Sequence, residues 1–300
     1  MHFFRGLALL ALAGFAGLVL AGFAGALHGA GDSFAVFRPQ AAAALLAVSV
    51  LLWLLGMRGP AFLGAALALG AGLTVAPHLS RVNATGQTIA IYQKNLRYDL
   101  ADPAPLSADI RATGAEIVTL QEVNGRTRAV ADGLADAYPT RITCRFGAVG
   151  GPAILSVWPG LPGSTACFGE IGLVTTVLET PAGPLRVVSL HLHWPWPYGQ
   201  PGQLREILPI LESFPEPTIL AGDFNMVRWS HALRTLGRAS RTAPAGASHT
   251  TLPGRVVWPG LPIDHVLTPG GAGTTQIRPA FGSDHLGLLA QIPVAALSGD

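Results

Sequence analysis

The stretch TILAGDFN, residues 218–225, decides how this chain is read. Its β-branched and apolar start predicts a strand. Gly222 then opens that strand into Asp223-Phe224-Asn225, a carboxylate and a carboxamide two residues apart where the strand stops. Alone, GDFN is also what a strand followed by an Asx turn looks like. The surroundings separate the two readings, because polar residues recur at the ends of other apolar runs. Asn95 follows the run 88–93, Gln121 and Glu122 follow 116–120, and His191 caps 187–190. Asp264 lies within 263–267, and Asp284-His285 precede a last apolar run. Polar groups that recur at strand ends can converge at one rim of a sheet.

Working outward, the runs 88–93, 116–120, 153–156, 172–178, 185–190, 218–221 and 263–267 read as strands. Helical patterns lie between them at 106–113, 126–137, 202–213 and 230–237. This alternation predicts an α/β layered domain, and the roughly 210 residues available are enough for one core.

The N-terminal portion is of another kind. Charged residues make up 12% of the chain, against roughly 25% in an ordinary soluble domain. Between Leu7 and Pro77 only Asp32, Arg38 and Arg58 are charged. The intervening Ala/Leu/Gly/Val runs predict transmembrane helices at 7–26, 41–57 and 61–76, the third short and glycine-rich. The first run is also readable as a signal peptide ending at Ala24-Gly25-Ala26, although its length favours an uncleaved anchor. Either way the remainder emerges on the outer side. The expected division is an anchor at 1–80, a linker at 81–87 and a catalytic domain at 88–300.

From Gly86 onward there are 15 Lys/Arg against 16 Asp/Glu, and the balance argues against tight non-specific binding to long nucleic acid. Cys144 and Cys167 are the only cysteines. Without a short Cys/His spacing they are no metal site, and in an oxidising compartment they would pair.

The ordered set KNLRY with Asn95, TLQEV with Glu122, SLHLH with His191, GDFN with Asp223 and Asn225, IDHVL with Asp264, and GSDH with Asp284 and His285 resembles the endonuclease/exonuclease/phosphatase family. These are metal-dependent phosphohydrolases that include DNase I, abasic-site endonucleases, inositol-phosphate phosphatases and sphingomyelinases. The resemblance covers about 87–293, and with the leading spans and paired cysteines it points to the bacterial membrane-anchored branch. It implies a DNase I-like four-layer α/β sandwich, two packed β-sheets flanked by helices, behind N-terminal transmembrane helices. It further implies a bacterial inner-membrane location with a periplasmic catalytic domain, the bilayer as a partner, and a nucleic acid or phospholipid head group as phosphodiester substrate.

Phosphate-ester cleavage needs a hard cation, Mg2+ or Mn2+, held by carboxylate and amide oxygens. The expected ligands are Glu122 with Asn95 and Asp284. Asp223 is expected to activate the attacking water, and Asn225 to hold a phosphoryl oxygen. His191 and His285 would donate to the developing charge, with Asp264 orienting His285 and favouring its cationic form. His193 shares a strand face with His191, and His265 neighbours Asp264 where relatives often carry an aromatic. Two departures from the family pattern, Val157-Trp158-Pro159 after AILS and Gly287 after SDH, bear on substrate choice and leave the expected metal and water machinery intact. The proline-stiffened segment Trp194-Pro195-Trp196-Pro197-Tyr198 is suited to base stacking or to a membrane interface. A catalytically silent, membrane-tethered binding module of the same fold is the alternative function.

Overall fold

Alternation of side chains to two faces builds the C-terminal part of the computed structural model, which describes residues 2–80 and 85–298. The first strand shows it: Ile89 and Ile91 point into one apolar core, while Ala90 and Tyr92 point into another. Ile219 and Ala221 share the first of these cores, and Leu220 faces a third. Strands buried on both faces read as continuous apolar runs, which is why 218–221 carries no polar alternation.

Four helices come first: α1 (His2–Ala21), α2 (Ala30–Val36), α3 (Arg38–Leu54) and α4 (Arg58–Leu73). There follow β1 (Thr88–Asn95), α5 (Ala104–Thr113), β2 (Ile117–Val123), α6 (Ala129–Asp132), β3 (Thr140–Thr143) and β4 (Gly151–Ser156). The second half comprises β5 (Ala166–Phe168), β6 (Leu173–Thr180), β7 (Gly183–His191), α7 (Gln200–Glu212), β8 (Thr218–Asp223) and α8 (His231–Ser240). It closes with β9 (Thr242–Pro244), β10 (Asp264–Pro269), β11 (Thr274–Arg278) and β12 (Gly287–Pro293).

The strands form two six-stranded sheets, ordered β11-β12-β1-β2-β4-β3 and β5-β6-β7-β8-β10-β9. Each has one parallel pair near its centre, β1 with β2 and β7 with β8, and its other pairs are antiparallel. The core between the sheets takes Ile117, Ile154, Val187, Ile219, Val266 and Ile292. Outside one sheet lie Leu106 and Ile110 of α5; outside the other lie Ile207 and Leu211 of α7 with Leu233 and Leu236 of α8. This is the expected four-layer sandwich.

The expected strands form, most of them one to three residues longer at an end. The helix expected at 126–137 shrinks to Ala129–Asp132, because Asn124 caps a turn through Arg126 N and Thr127 N, and Gly133 adds backbone freedom just past its end. A disulfide joins Cys144, after β3 of the first sheet, to Cys167 in β5 of the second.

Helices α1, α3 and α4 overlap the three predicted spans. Among the described residues, only α1 is long and apolar enough to cross a bilayer alone; α2 and α3 meet at 66°, and α4 has 16 residues. Their outward faces carry Leu7, Leu10, Leu54, Leu63 and Leu73, all exposed. Arg5 Nη2 donates to the Leu55 carbonyl (2.8 Å), so the ends bearing Arg5 and Arg58 lie together. At the opposite ends, Ala35, Val36 and Val75 enter the same apolar core as α7 and α8. Residues 81–84 of the expected linker lie outside the described residues.

Candidate active site

Strand register assembles the site. β7 pairs with β8 so that His191 stands beside Asp223, and β8 pairs with β10 so that Asp223 stands beside Asp264. Three polar residues thus end three adjacent strands in one row. In the other sheet Asn95 stands beside Gln121, and one residue later a bulge in β2 turns Glu122 to the left-handed region (φ 61°). A non-glycine residue there costs free energy and is held by its contacts. For Glu122 these are Tyr98 N to Oε2 (2.6 Å) and Asn95 Nδ2 to Oε1 (3.1 Å).

Asn95 Nδ2 also donates to Asp223 Oδ2 (2.9 Å), joining the two rims. That oxygen lies 3.7 Å from His191 Nε2 and 3.8 Å from His285 Nε2. Asp223 Oδ1 accepts Asn225 N (2.9 Å). His285 Nδ1 sits 2.8 Å from Asp264 Oδ2, and Gln93 Nε2 donates to Asp264 Oδ1 (3.0 Å). Gln93 continues into Gln121 (2.8 Å), and Gln121 into Ser189 (3.1 Å), a polar chain buried between the sheets that steadies Asp264.

Charge follows from this geometry. Burial, then the Asp264 carboxylate, push Asp223 up to about 7. Burial also raises Glu122, and the nearby charge of Asp284 adds to it. Burial opposes a charge on His285, but Asp264 and Asp223 outweigh it and raise the ring to about 9. Asp264 is held below the usual carboxylate range, since the His285 charge and hydrogen bond overcome its burial. His191, buried and facing the His285 cation, falls to about 4 and is neutral at pH 7.

All eight predicted site residues therefore meet at one mouth, with two qualifications. Asn225 Nδ2 is committed to the Leu192 carbonyl (2.8 Å), and its Oδ1 is the unpaired atom. One Nδ2 proton is thus taken by Leu192, while the backbone N of Asn225 holds Asp223 Oδ1. Asn95 turns its amide nitrogen, not its oxygen, toward the carboxylates. His265 is buried, with Nε2 2.8 Å from the Met226 carbonyl and Arg228 Nε reaching Nδ1 at 3.4 Å; it does not face the mouth. His193 does share a face with His191, since both rings pack on Phe146.

Two residues that the sequence reading passed over shape the site. Lys94, the only lysine in the chain, is buried and donates Nζ to the carbonyls of Ala280 (2.9 Å) and His285 (2.5 Å), fixing the loop that carries Asp284 and His285. Burial brings it down to about 7. Ser283 Oγ donates to the Asn95 carbonyl (2.8 Å) and accepts His285 N (3.0 Å). The signal available in sequence was a lone lysine beside Asn95 in a chain that otherwise uses arginine.

The profile of the Endonuclease/Exonuclease/phosphatase family matches residues 93–285, a span that contains every residue of this mouth. The chain belongs to this family. No curated protein matches it. Among solved structures, this family member is similar to TDP2 from D. rerio in complex with a single-strand DNA product (TM-score 0.54, 18% identity, covering 69% of this chain and 99% of that one). It is also similar to the endonuclease domain of TRAS1, a telomere-specific non-LTR retrotransposon (0.52, 14%, 70% and 99%). A third is a beta toxin variant from Staphylococcus aureus with bound magnesium ions (0.50, 13%, 68% and 99%). These likenesses show the endonuclease/exonuclease/phosphatase fold.

The family's use of a divalent metal can be tested against the side chains present. Asp223, Asp264 and His285 place ligand atoms within 4.8 Å of one another. With the His285 ring raised to about 9, an ion held by this trio would have to displace a ring proton. Glu122 and Asp284 are different. Burial and the nearby Asp284 charge disfavour the ionised Glu122 carboxylate, and a hard cation would relieve this. The donor set fits a divalent ion at Glu122.

Proposed function

We propose that the protein is a membrane-anchored, divalent-metal-dependent phosphodiester hydrolase. The observation that carries this is the placing of one carboxylate oxygen, Asp223 Oδ2, between two imidazoles and an amide, at the rim where Glu122 stands. Glu122 would hold the ion, Mg2+ or Mn2+, with Asn95 and Asp284 beside it. When bound, the ion neutralises phosphoryl charge.

The remaining roles belong to the chain. Asp223, held by Asn225 N and Asn95, takes a proton from the attacking water, and a carboxylate raised to about 7 is well matched to that task. His285, cationic and fixed by Asp264, presents Nε2 to the charge that builds on phosphorus-bound oxygen. His191, neutral, gives a second donor at no cost in like-charge repulsion.

Helices α1, α3 and α4 would serve as the anchor, with the sandwich on the extracytoplasmic side. The disulfide supports an oxidising compartment, and Arg5 with Arg58 at the far ends of the helices supports a cytoplasmic placement there. The test is hydrolysis of bis-p-nitrophenyl phosphate by the solubilised protein with Mg2+, with EDTA, and as Asp223→Ala. Turnover that disappears in the last two is expected. Turnover that survives EDTA would sink the reading.

A further inference from the structure

The loop that follows His191 exposes three aromatic rings. Trp194, Trp196 and Tyr198 are 40%, 47% and 66% exposed. Their backbone is nonetheless pinned: Tyr198 N donates to the Pro195 carbonyl (3.0 Å), and Gln200 Nε2 to the His193 carbonyl (2.7 Å). This rigid loop leans on α2 and on the connection that precedes it. Ser33 Oγ donates to the Trp196 carbonyl (2.6 Å), and the His28 ring meets Trp196 edge-on at 5.7 Å. Gly29 approaches so closely that a Cβ there would lie 2.8 Å from Pro201 Cγ and 3.4 Å from Trp196 Cβ. The connection is itself apolar and open, with Phe23 and Leu27 exposed, and so are Phe34 of α2 and Phe37 just after it.

The sandwich is docked on the helices, not hung from them. Asp32 accepts His231 N (2.6 Å) and Ala232 N (2.9 Å) at the start of α8, where a carboxylate suits the helix dipole. Trp229 Nε1 donates to the Ala35 carbonyl (2.6 Å), and Arg38 Nη1 to the Trp229 carbonyl (3.3 Å). These bonds grip the segment leaving Asp223 and Asn225, so the mouth keeps a fixed height above the helix ends.

Rings that are apolar in the body and polar at the tip collect at the membrane–water boundary. Stacking on nucleic acid would require cations to track the backbone, and no Lys or Arg occurs between Arg186 and Arg205. We propose that Trp194, Trp196 and Tyr198, continuous with exposed Leu27, rest in the lipid headgroup layer and seat the catalytic mouth there, so that the enzyme acts on phosphodiesters carried by the bilayer. The proposal rests on the phosphodiesterase reading above. In the step, water oxygen bonds to phosphorus as one P–O ester bond breaks. One water proton passes to Asp223 and the departing alkoxide gains a proton, leaving a phosphomonoester and an alcohol.

The test uses the full chain in phosphatidylcholine vesicles, native and with Trp194→Ser, Trp196→Ser and Tyr198→Ser combined. Phosphodiester cleavage is followed for the vesicle lipid, for single-stranded DNA and for bis-p-nitrophenyl phosphate. Lipid turnover is expected to fall about tenfold or more in the triple variant, with bis-p-nitrophenyl phosphate held within about twofold, an effect on presentation rather than chemistry. That soluble rate also reports that the variant is folded, and Tyr198→Ser alone keeps the same sign. An unchanged ratio of lipid to soluble turnover overturns the proposal, as does cleavage of DNA with lipid untouched. Failure of the native protein on bis-p-nitrophenyl phosphate overturns the phosphodiesterase reading itself.

Discussion

The rims of the two sheets meet at one mouth but carry charge differently. In the sheet of β7, β8 and β10, His191, Asp223 and Asp264 form a row set by strand register and are buried. In the sheet of β1 and β2, Glu122 sits on a bulge, is partly open to solvent, and is held through a backbone amide and Asn95. A row fixed by ladder hydrogen bonds is rigid and dry, which shifts proton affinities far and suits acid–base work. A carboxylate on a bulge at the solvent edge suits an ion that arrives with its waters. On the proposed function, the division assigns separate jobs to Asp223 and Glu122, 101 positions apart and joined through Asn95.

That separation can be broken by exchanging one carboxylate at a time. Asp223→Asn is expected to lower kcat by about 10^2–10^4 while leaving the Mg2+ dissociation constant within a few-fold, as loss of a general base does. Glu122→Gln should do the reverse in part, weakening Mg2+ binding by about 10–100-fold, with activity recovered at high metal concentration. Isothermal titration with Mg2+ alongside steady-state kinetics checks both. Equal loss of metal affinity in the two variants would end the division.

Asp264→Asn sharpens the comparison within the buried row. The native His285 cation is expected to be lost, and activity with it, as pH rises through about 9. Without the Asp264 carboxylate the ring loses its main source of the raised value, so the descending limb of kcat/KM should move down toward roughly 6.5. The drop at neutral pH should be about fourfold, following the fraction of cation lost. A limb that stays near its native position would show that Asp264 does not set the charge of His285.

The smallest effect concerns the link between the sheets. Cys144→Ser with Cys167→Ser removes a bond closing a loop of 23 residues and should cost roughly 3 kcal/mol of stability, read as a lower denaturant midpoint. Activity below that midpoint should change little, because neither cysteine belongs to the mouth.

The strand-end polar residues were legible in sequence because each interrupts an apolar run at its end, and a buried strand tolerates such a residue only where it leaves the core. The short edges β3, β5, β9 and β11 were not, since runs of three to five residues with half-buried faces carry no clear period. The role of Lys94 was hidden for another reason: its partners are backbone carbonyls far along the chain, which no side-chain pattern announces. Where His265 points was not legible, because register, which decides that it faces Phe224 and Arg228, is a tertiary property. Asn225 was placed correctly at the mouth, but the direction of its amide is set by the Leu192 carbonyl.

Asp32 has a consequence for biosynthesis. Chains leave the ribosome N-terminus first, and domains fold in that order. The carboxylate of Asp32 is therefore made 199 residues before His231, the first residue of the helix that it caps. Until α8 arrives, a charge destined for burial waits at the end of an apolar bundle without its two amide donors. Docking of α8 removes that charge from water and closes the core over Ala35 and Val36, so the helices serve as a template for the outer helical layer of the nascent sandwich.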